Sequence, residues 1–279
     1  MNRRDLIDGV LEVFNRCSGN TVIMEGNGPN SELTMFEPPL VGIASADDPL
    51  FEKFKSADVI GPWFMAPSDW LPGAASVLSA FLPFTERVRV SNRGDLMNIS
   101  TEWLYGRVEG QKFIAAFTDG LCSWLREHGV ECCAPSCDSR FRQFRAGQGL
   151  EGYLEANEHT FGSNWSERHA AYACGLGTFG LSRGIITAKG MAGRFTSVII
   201  NAAIEPDKRP YTGVYDYCIN CGACVRRCPV NAISAENGKE HAPCSRWQDE
   251  TAKRYAPRYG CGKCQTGVPC EAQNPKASH

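Results

Sequence analysis

Cys218-Ile219-Asn220-Cys221-Gly222-Ala223-Cys224-Val225-Arg226-Arg227-Cys228-Pro229 dictates how the C-terminal part of this chain folds. Three cysteines at two-residue intervals wrap a tight loop around one iron–sulfur cube and ligate three of its irons. A fourth, placed before proline, turns away and ligates a neighbouring cluster. Cys218, Cys221 and Cys224 therefore need one distant partner, and Cys228 needs three. Cys244, Cys261, Cys264 and Cys270 meet that demand downstream. Cys261-x2-Cys264 takes two irons, Cys244 a third and Cys228 the fourth. Cys270, after Val268-Pro269, completes the first set. Exchange of Cys244 and Cys270 between the sets is the alternative. Eight thiolates make two four-ligand sites, read as two [4Fe–4S] clusters. Zinc also takes paired CxxC motifs, but rarely a triple run closed by Cys-Pro. Cys224 and Cys228 lie within about 14 Å even in extended chain, so the clusters are neighbours on a short path for single electrons.

Eight of the fourteen cysteines fall between Cys218 and Cys270. That crowding suits metal better than a disulfide scaffold, which is usually short, and implies a reducing, cytoplasmic compartment. A net charge of −2 offers no global basic field and argues against a nucleic-acid partner. Arg3-Arg4 faintly resembles a twin-arginine export signal. However, Asp8, Glu12, Asn15 and Arg16 interrupt any apolar core, whereas Leu6, Ile7, Val10, Leu11 and Phe14 recur at helical spacing. An amphipathic helix ending near Gly19 is expected. No apolar run approaches the ~18 residues of a membrane span.

Residues 1–210 read as an α/β or α+β layer domain. Leu40–Ala44 and Val77–Leu82 are expected strands, the second closed by Pro83. Phe113, Ile114, Phe117, Leu121, Trp124 and Leu125 mark one face of a long helix that stops at Gly129. Val130–Ala134 is a candidate returning strand. Gly184–Ala188 and Phe195–Asn201 are two strands joined by the turn Lys189-Gly190-Met191-Ala192-Gly193. Glu205-Pro206-Asp207-Lys208-Arg209-Pro210 reads as a linker. Beyond it, residues 211–279 form a second, small domain too poor in large aliphatics for a core of its own, with metal ligation as its support. Cys132, Cys133 and Cys137, like Cys17, Cys122 and Cys174, read as small buried hydrophobes.

Outside the tail, the most unusual stretch runs from Ser163 to Gly184. Ser166 is placed to cap a short helix reaching Ala173. Glycines follow at 175, 177, 180 and 184, where backbone can approach a flat ligand closely. Gly175-x-Gly177-x-x-Gly180 follows a helix rather than a strand, which argues against a dinucleotide fingerprint. A helix cap followed by a loose turn is the plainer reading. Of the titratable groups here, His169 is the natural general acid by intrinsic pKa, with Glu167 and Tyr172 as alternatives.

Ser166-Glu167-Arg168 leading into Ala173-Cys174-Gly175-Leu176-Gly177, then a strand, then the cysteine-rich tail, resembles epoxyqueuosine reductase and, more distantly, the corrinoid reductive dehalogenases. Gly260-Cys261-Gly262-Lys263-Cys264-Gln265 is similar to that family's second-cluster motif. The resemblance covers roughly residues 160–270. It implies a nitroreductase-like cobalamin-binding layer domain followed by a small two-cluster bacterial ferredoxin-like domain, with the clusters feeding electrons to cobalt. On that reading Ser166, Arg168, Gly175, Gly177, Gly180 and Arg183 contact the cofactor, with Arg194 a further candidate. The activity implied is a cobalamin-dependent reductase supplied by a low-potential donor such as ferredoxin or flavodoxin, its substrate a small molecule or a corrinoid. A pure electron carrier and a flavin-dependent reductase are the alternatives. There are departures: Phe161-Gly162-Ser163-Asn164-Trp165 holds no carboxylate where the family has an aspartate proton donor. The family's tRNA-binding helical repeat has no counterpart before His279. Both favour a short form with another substrate.

Anaerobic reconstitution is expected to yield about eight irons and eight acid-labile sulfides per chain. Four irons, or stoichiometric zinc, would overturn the two-cluster assignment.

Overall fold

The computed structural model describes residues 1–26, 28, 31–145 and 161–277. Its centre is a four-stranded antiparallel sheet built from β3 (Leu40–Ser45), β4 (Ser76–Pro83), β10 (Gly193–Ile200) and β5 (Cys132–Cys133), in the order β3-β4-β10-β5. Side chains alternate across a sheet, and here both faces are apolar. Ile43, Leu78, Ala80, Leu82, Val198 and Ile200 look to one side, and Ala44, Val77 and Ile199 to the other. All eight residues of β4 are buried, as befits a central strand covered on both faces.

Helices cover the first face. α1 (Arg3–Arg16) is the expected N-terminal helix, closed by a capping box between Asn2 and Asp5. It packs on α5 (Thr101–Glu127), where Phe14 meets Phe113 and Phe117 edge to face. α5 spans about 40 Å, and Gly129, at φ 73°, ends it as the sequence predicts. The opposite face is covered by α6 (Glu167–Ala173), together with Phe51 of α2 (Pro49–Lys53), Phe64, Trp70 of α3 (Pro67–Trp70) and Trp165. The layer is therefore a three-tier sandwich. Among the described residues, no helix is long and apolar enough to cross a membrane.

The smaller elements are ribbons and connectors. β1 (Thr21–Ile23) pairs with β2 (Glu32–Thr34), and β6 (Gln143–Arg145) with β7 (Phe161–Ser163). α4 (Glu86–Ser91) precedes α5. β8 (Gly177–Phe179) pairs with β9 (Ile185–Thr187). The tail contains α7 (Ala223–Arg226), the pair β11 (Ile233–Ser234) and β12 (Gly238–Lys239), and α8 (His241–Arg254).

Three expectations need correction. The strands flanking Lys189–Gly193 belong to different sheets, because β9 takes β8 as partner and β10 takes β4 and β5. The turn itself clasps the tail: Met191 N–H donates to Cys270 O (2.9 Å) and Ala192 N–H to Glu271 O (3.0 Å). The returning strand before Ala134 shrinks to two residues. The 205–210 segment is no free linker. Asp207 accepts from Ile43 N–H (3.0 Å) and Arg3 Nε (3.0 Å), which ties it to the sheet and to α1.

Residues 211–277 dock on α4 and α5 through a buried junction. Lys263 is 1% exposed, and its ammonium donates to Asn92 O and Oδ1, each at 2.9 Å. Asn92 Nδ2 donates in turn to Cys261 O (2.9 Å). Gly262, at φ 68°, lies so close to Trp103 that a Cβ there would sit 1.9 Å from the ring, so only glycine fits. Arg93–Glu271 and Arg258–Glu109 pair across the same boundary. Asn92→Ala removes one acceptor from a buried ammonium and a donor from the tail, and is expected to lower unfolding stability by about 1–3 kcal/mol in urea titrations. An unchanged midpoint would mean that the junction does not hold the tail.

Candidate functional site

The eight tail cysteines separate into two sets, each around its own cavity. Cys228, Cys244, Cys261 and Cys264 line a cavity of about 110 Å³, and Cys218, Cys221, Cys224 and Cys270 line one of about 20 Å³. Local geometry builds this. Gly222, at φ 67°, turns the Cys218–Cys224 loop into α7, and the end of α7 carries Cys228 to the other cavity. α8 carries Cys244, and the docked 261–264 loop completes the larger set. Ala232 N–H donates to Cys228 Sγ (3.1 Å). Among the described residues, no three His, Cys, Asp or Glu side chains gather tightly enough for one metal ion. Thiols spaced around a cavity wall suit a multinuclear cluster, whereas tetrahedral zinc draws its ligands to a point. Burial raises the thiol pKa of Cys224 and Cys261 to about 11 and of Cys270 to about 12.

The two cavities differ in surroundings. The smaller opens among Ile219, Asn220 and Pro275, and Cys221 is exposed. The larger faces the layer domain, where Phe84, Trp103, Arg107 and Arg194 form its far wall. Among the described residues its lining holds three cations, Arg107, Arg194 and Lys239, and no carboxylate. Burial works against the Lys239 ammonium, but Cys264 and Cys244 outweigh it and hold its pKa above the usual lysine value. Arg168 lies close enough to feel the same two cysteines, and its Nη1 donates to Arg183 O (2.9 Å). Burial, with repulsion from Arg107 and Arg168, pushes the Arg194 guanidinium down to about 9.

The glycine-rich segment packs closely against protein on the Cβ side of its glycines. A Cβ on Gly177 would lie 1.9 Å from Ile186 O, one on Gly175 3.3 Å from Lys208 O, and one on Gly180 3.2 Å from Ile186 Cδ1. Protein fills the faces where a flat macrocycle was expected. These glycines close the β8–β9 ribbon, and that ribbon supports the first cysteine loop. Gly180, Leu181 and Ser182 line the smaller cavity, and Tyr217 N–H donates to Thr178 Oγ1 (2.8 Å).

The candidate proton donors are likewise reassigned. His169 is wedged between Phe54 and Phe179, and its Nδ1 is paired with Ser166 Oγ at 2.8 Å. Burial, with Arg168 nearby, pushes its pKa down to about 3. Burial thus favours the neutral form of the ring, and Ser166 is its hydrogen-bond partner. Tyr172 is buried on Tyr211, whose hydroxyl donates to Tyr172 O (2.7 Å). Glu167 points into the sandwich. Both carboxylate oxygens are buried without a well-formed hydrogen bond, and burial raises its pKa to about 7, opposed in part by the nearby Ser197 and Ser136 hydroxyls. Neither His169, Tyr172 nor Glu167 lines the two cysteine cavities. Arg183, at φ 60°, sits in the ribbon turn and receives Arg168.

Sequence reasoning missed Phe84, Trp103, Arg107, Lys239, Trp247 and Gln248 as cavity walls. They come from α5, β12, α8 and the β4 end, and only docking of the tail brings them together. The one available signal was Arg107 interrupting a helix whose neighbours Trp103, Leu104 and Gly110 are buried.

Residues 211–234 match the model of the 4Fe-4S binding domain family, so the tail carries a 4Fe-4S binding segment. No curated protein is similar enough in sequence to count as a relative. Among solved structures, a catabolic reductive dehalogenase in complex with 3-bromo-4-hydroxybenzoic acid is similar at TM-score 0.51 and 14% identity, covering 97% of this chain and 36% of that one. An epoxyqueuosine reductase solved with a modified tRNA stem loop is similar at TM-score 0.49 and 17% identity, over 96% and 65% of the two chains. The epoxyqueuosine reductase from Streptococcus thermophilus gives 0.43 and 17%, over 85% and 64%. The chain spans less than two thirds of the length of each. The reductive dehalogenase likeness extends over nearly all of this chain and shows that its mixed α/β layer with an iron–sulfur tail is a shared fold.

Glu167 gives a pH signature. Its folded pKa of about 7 exceeds the usual 4.5, so its contribution to stability is present below about pH 4.5 and is lost as pH rises through 7. Glu167→Gln is expected to remove a fall of up to about 3 kcal/mol between those limits. Urea unfolding of both proteins at about pH 5 and about pH 8 checks it. Equal pH dependence in the two would place the titration elsewhere.

Proposed function

We propose that this protein is an iron–sulfur reductase in which two [4Fe–4S] clusters pass single electrons to an acceptor bound against the layer domain. The observation that carries this reading is the division of eight cysteines into two four-thiol cavities, linked by the short α7 turn between Cys224 and Cys228. Residues 211–279 act as the two-cluster ferredoxin-like domain, and residues 1–210 as the domain that meets the acceptor.

The donor sets fit the clusters. Cys218, Cys221, Cys224 and Cys270 would hold the outer one, where exposed Cys221 suits electron entry from a low-potential protein such as a ferredoxin or flavodoxin. Cys228, Cys244, Cys261 and Cys264 would hold the inner one. When bound, the clusters supply one-electron transfer. The chain's own residues would set their environment: Lys239 lines the inner cavity close to Cys244 and Cys264, and a cation there would raise a cluster's potential by stabilising its reduced, more negative state.

Cobalamin is the acceptor that the sequence resemblance favours, with flavin as the alternative. Protein packs on the Cβ sides of Gly175, Gly177 and Gly180. The residues left to meet any acceptor are Phe84, Trp103, Arg107 and Arg194 on the far wall of the inner cavity. Those filled glycines also favour the second reading, a carrier that reduces a separate corrinoid protein.

Cys228→Ala is expected to lower iron from about eight to about four per chain and to leave the outer cluster's paramagnetic signal intact after dithionite reduction. Unaltered iron content would sink the assignment. Anaerobic addition of cobalamin or flavin, followed by absorbance, separates the readings. Conversion of cobalamin to its base-off form supports the reductase with its own corrinoid, and no change with either cofactor leaves the electron carrier.

A further inference from the structure

The cations near the inner cysteines form two groups with different partners. Lys239 and Arg168 feel the charge of Cys244 and Cys264. A cluster held by four thiolates carries net negative charge, and this pair is positioned to offset it. Arg107 and Arg194 are not so engaged. Burial opposes both charges; Arg194 is further repelled by Arg107 and Arg168, while Arg107 meets Tyr259.

Neither Arg107 nor Arg194 has a carboxylate partner among the described residues. Glu109, two residues along α5, is taken by Arg258 Nη2 at 2.9 Å. Arg107 donates to Tyr259 Oη (3.1 Å) and lies over that ring, and Arg194 donates to the neutral Gln111 Oε1. Both are half-buried and line the same cavity, together with Phe84 and Trp103. They stand on rigid elements, Arg107 in mid-α5 and Arg194 near the start of β10. Two partly desolvated guanidiniums sharing a cavity wall repel each other, and no carboxylate among the described residues offsets the repulsion. A guanidinium is built for two-point recognition of carboxylate or phosphate.

We propose that Arg107 and Arg194 form an oxyanion site, and that the molecule reduced beside the inner cluster is an anion carrying a carboxylate or phosphate group. This inference rests on the cluster reading above and names the chemical class of its acceptor. The aromatic wall of Phe84 and Trp103 receives the body of that molecule, while the guanidiniums fix its charged end in the cluster's cavity.

Calorimetry of iron-loaded, full-length protein at low ionic strength, with sodium benzoate and with inorganic phosphate as separate probes, tests the site. One of them is expected to bind, and to bind at least about tenfold more weakly to the Arg107→Gln/Arg194→Gln double variant, whose iron content stays unchanged. Arg194→Lys, which keeps the charge, is expected to retain more affinity than Arg194→Gln. Parallel titrations with cobalamin and with cobinamide, which lacks the nucleotide phosphate, distinguish the sources. An arginine-dependent preference for cobalamin assigns the anion to the cofactor's phosphodiester. Benzoate or phosphate binding that persists with corrinoid present assigns it to the substrate. If neither anion binds wild-type protein, or the double variant binds equally well, the site is overturned. Iron assayed on the same samples keeps the two readings apart. Iron-loaded protein that ignores both anions refutes this site alone, and protein that takes up no iron refutes the cluster reading beneath it.

Discussion

The tail of this protein depends on one buried lysine. Residues 211–277 contain little that could form a core, and their buried apolar side chains come in small groups such as Met191 of the body with Val268 of the tail. What orients the segment is Lys263, whose ammonium is sealed under α4 by two bonds from Asn92. Taking an ammonium out of water is costly unless its donors are met, and burial pushes this one down to about 8. The geometry is therefore strict. Because Lys263 lies between Cys261 and Cys264, satisfying it also aims those two thiols. Gly262 against Trp103 and Arg93 on Glu271 then leave little freedom for the rest.

From that constraint follows the division of labour between the halves. The layer domain is a conventional sandwich whose central strand is buried on both faces. Its stability comes from apolar area, and it serves the tail as a rigid floor. Three of its parts reach the cysteines. The β8–β9 ribbon supports the first loop through Thr178, the turn before β10 holds Cys270 through Met191, and α4 holds Cys261 through Asn92. A net charge of −2 conceals how uneven the result is, since the inner cavity gathers Arg107, Arg194 and Lys239. Whole-chain charge speaks to solubility and long-range attraction and gives no account of a cavity whose members come from many separate segments.

α6 illustrates how a polar segment can mislead. Ser166, Glu167, Arg168, His169 and Tyr172 look like a cluster of reactive groups, yet a seven-residue helix sends them in different directions. His169 goes between two phenylalanines, Tyr172 onto Tyr211, Glu167 into the sandwich, and Arg168 toward the tail. Adjacent helical residues are separated by about 100°, so sequence proximity on a helix is weak support for a shared site.

What the sequence by itself determined is the ligand chemistry. Thiols at two-residue gaps followed by Cys-Pro allow few arrangements, and that pattern groups Cys228 with Cys261 and Cys264 while leaving Cys244 and Cys270 exchangeable. The long helix ending at Gly129 and the strands at Leu40–Ala44 and Val77–Leu82 were legible too, because periodicity reports which face is buried. The tertiary structure decided everything that needed distant segments to meet. It decided that β9 pairs with β8, that Asp207 anchors the supposed linker, that Gly177 and Gly180 pack against Ile186, and that Arg107 and Arg194 share a wall. The physical reason is the same in each case. A local pattern records the environment a residue needs, whereas the identity of the neighbour that supplies it depends on how elements far apart in the chain pack together.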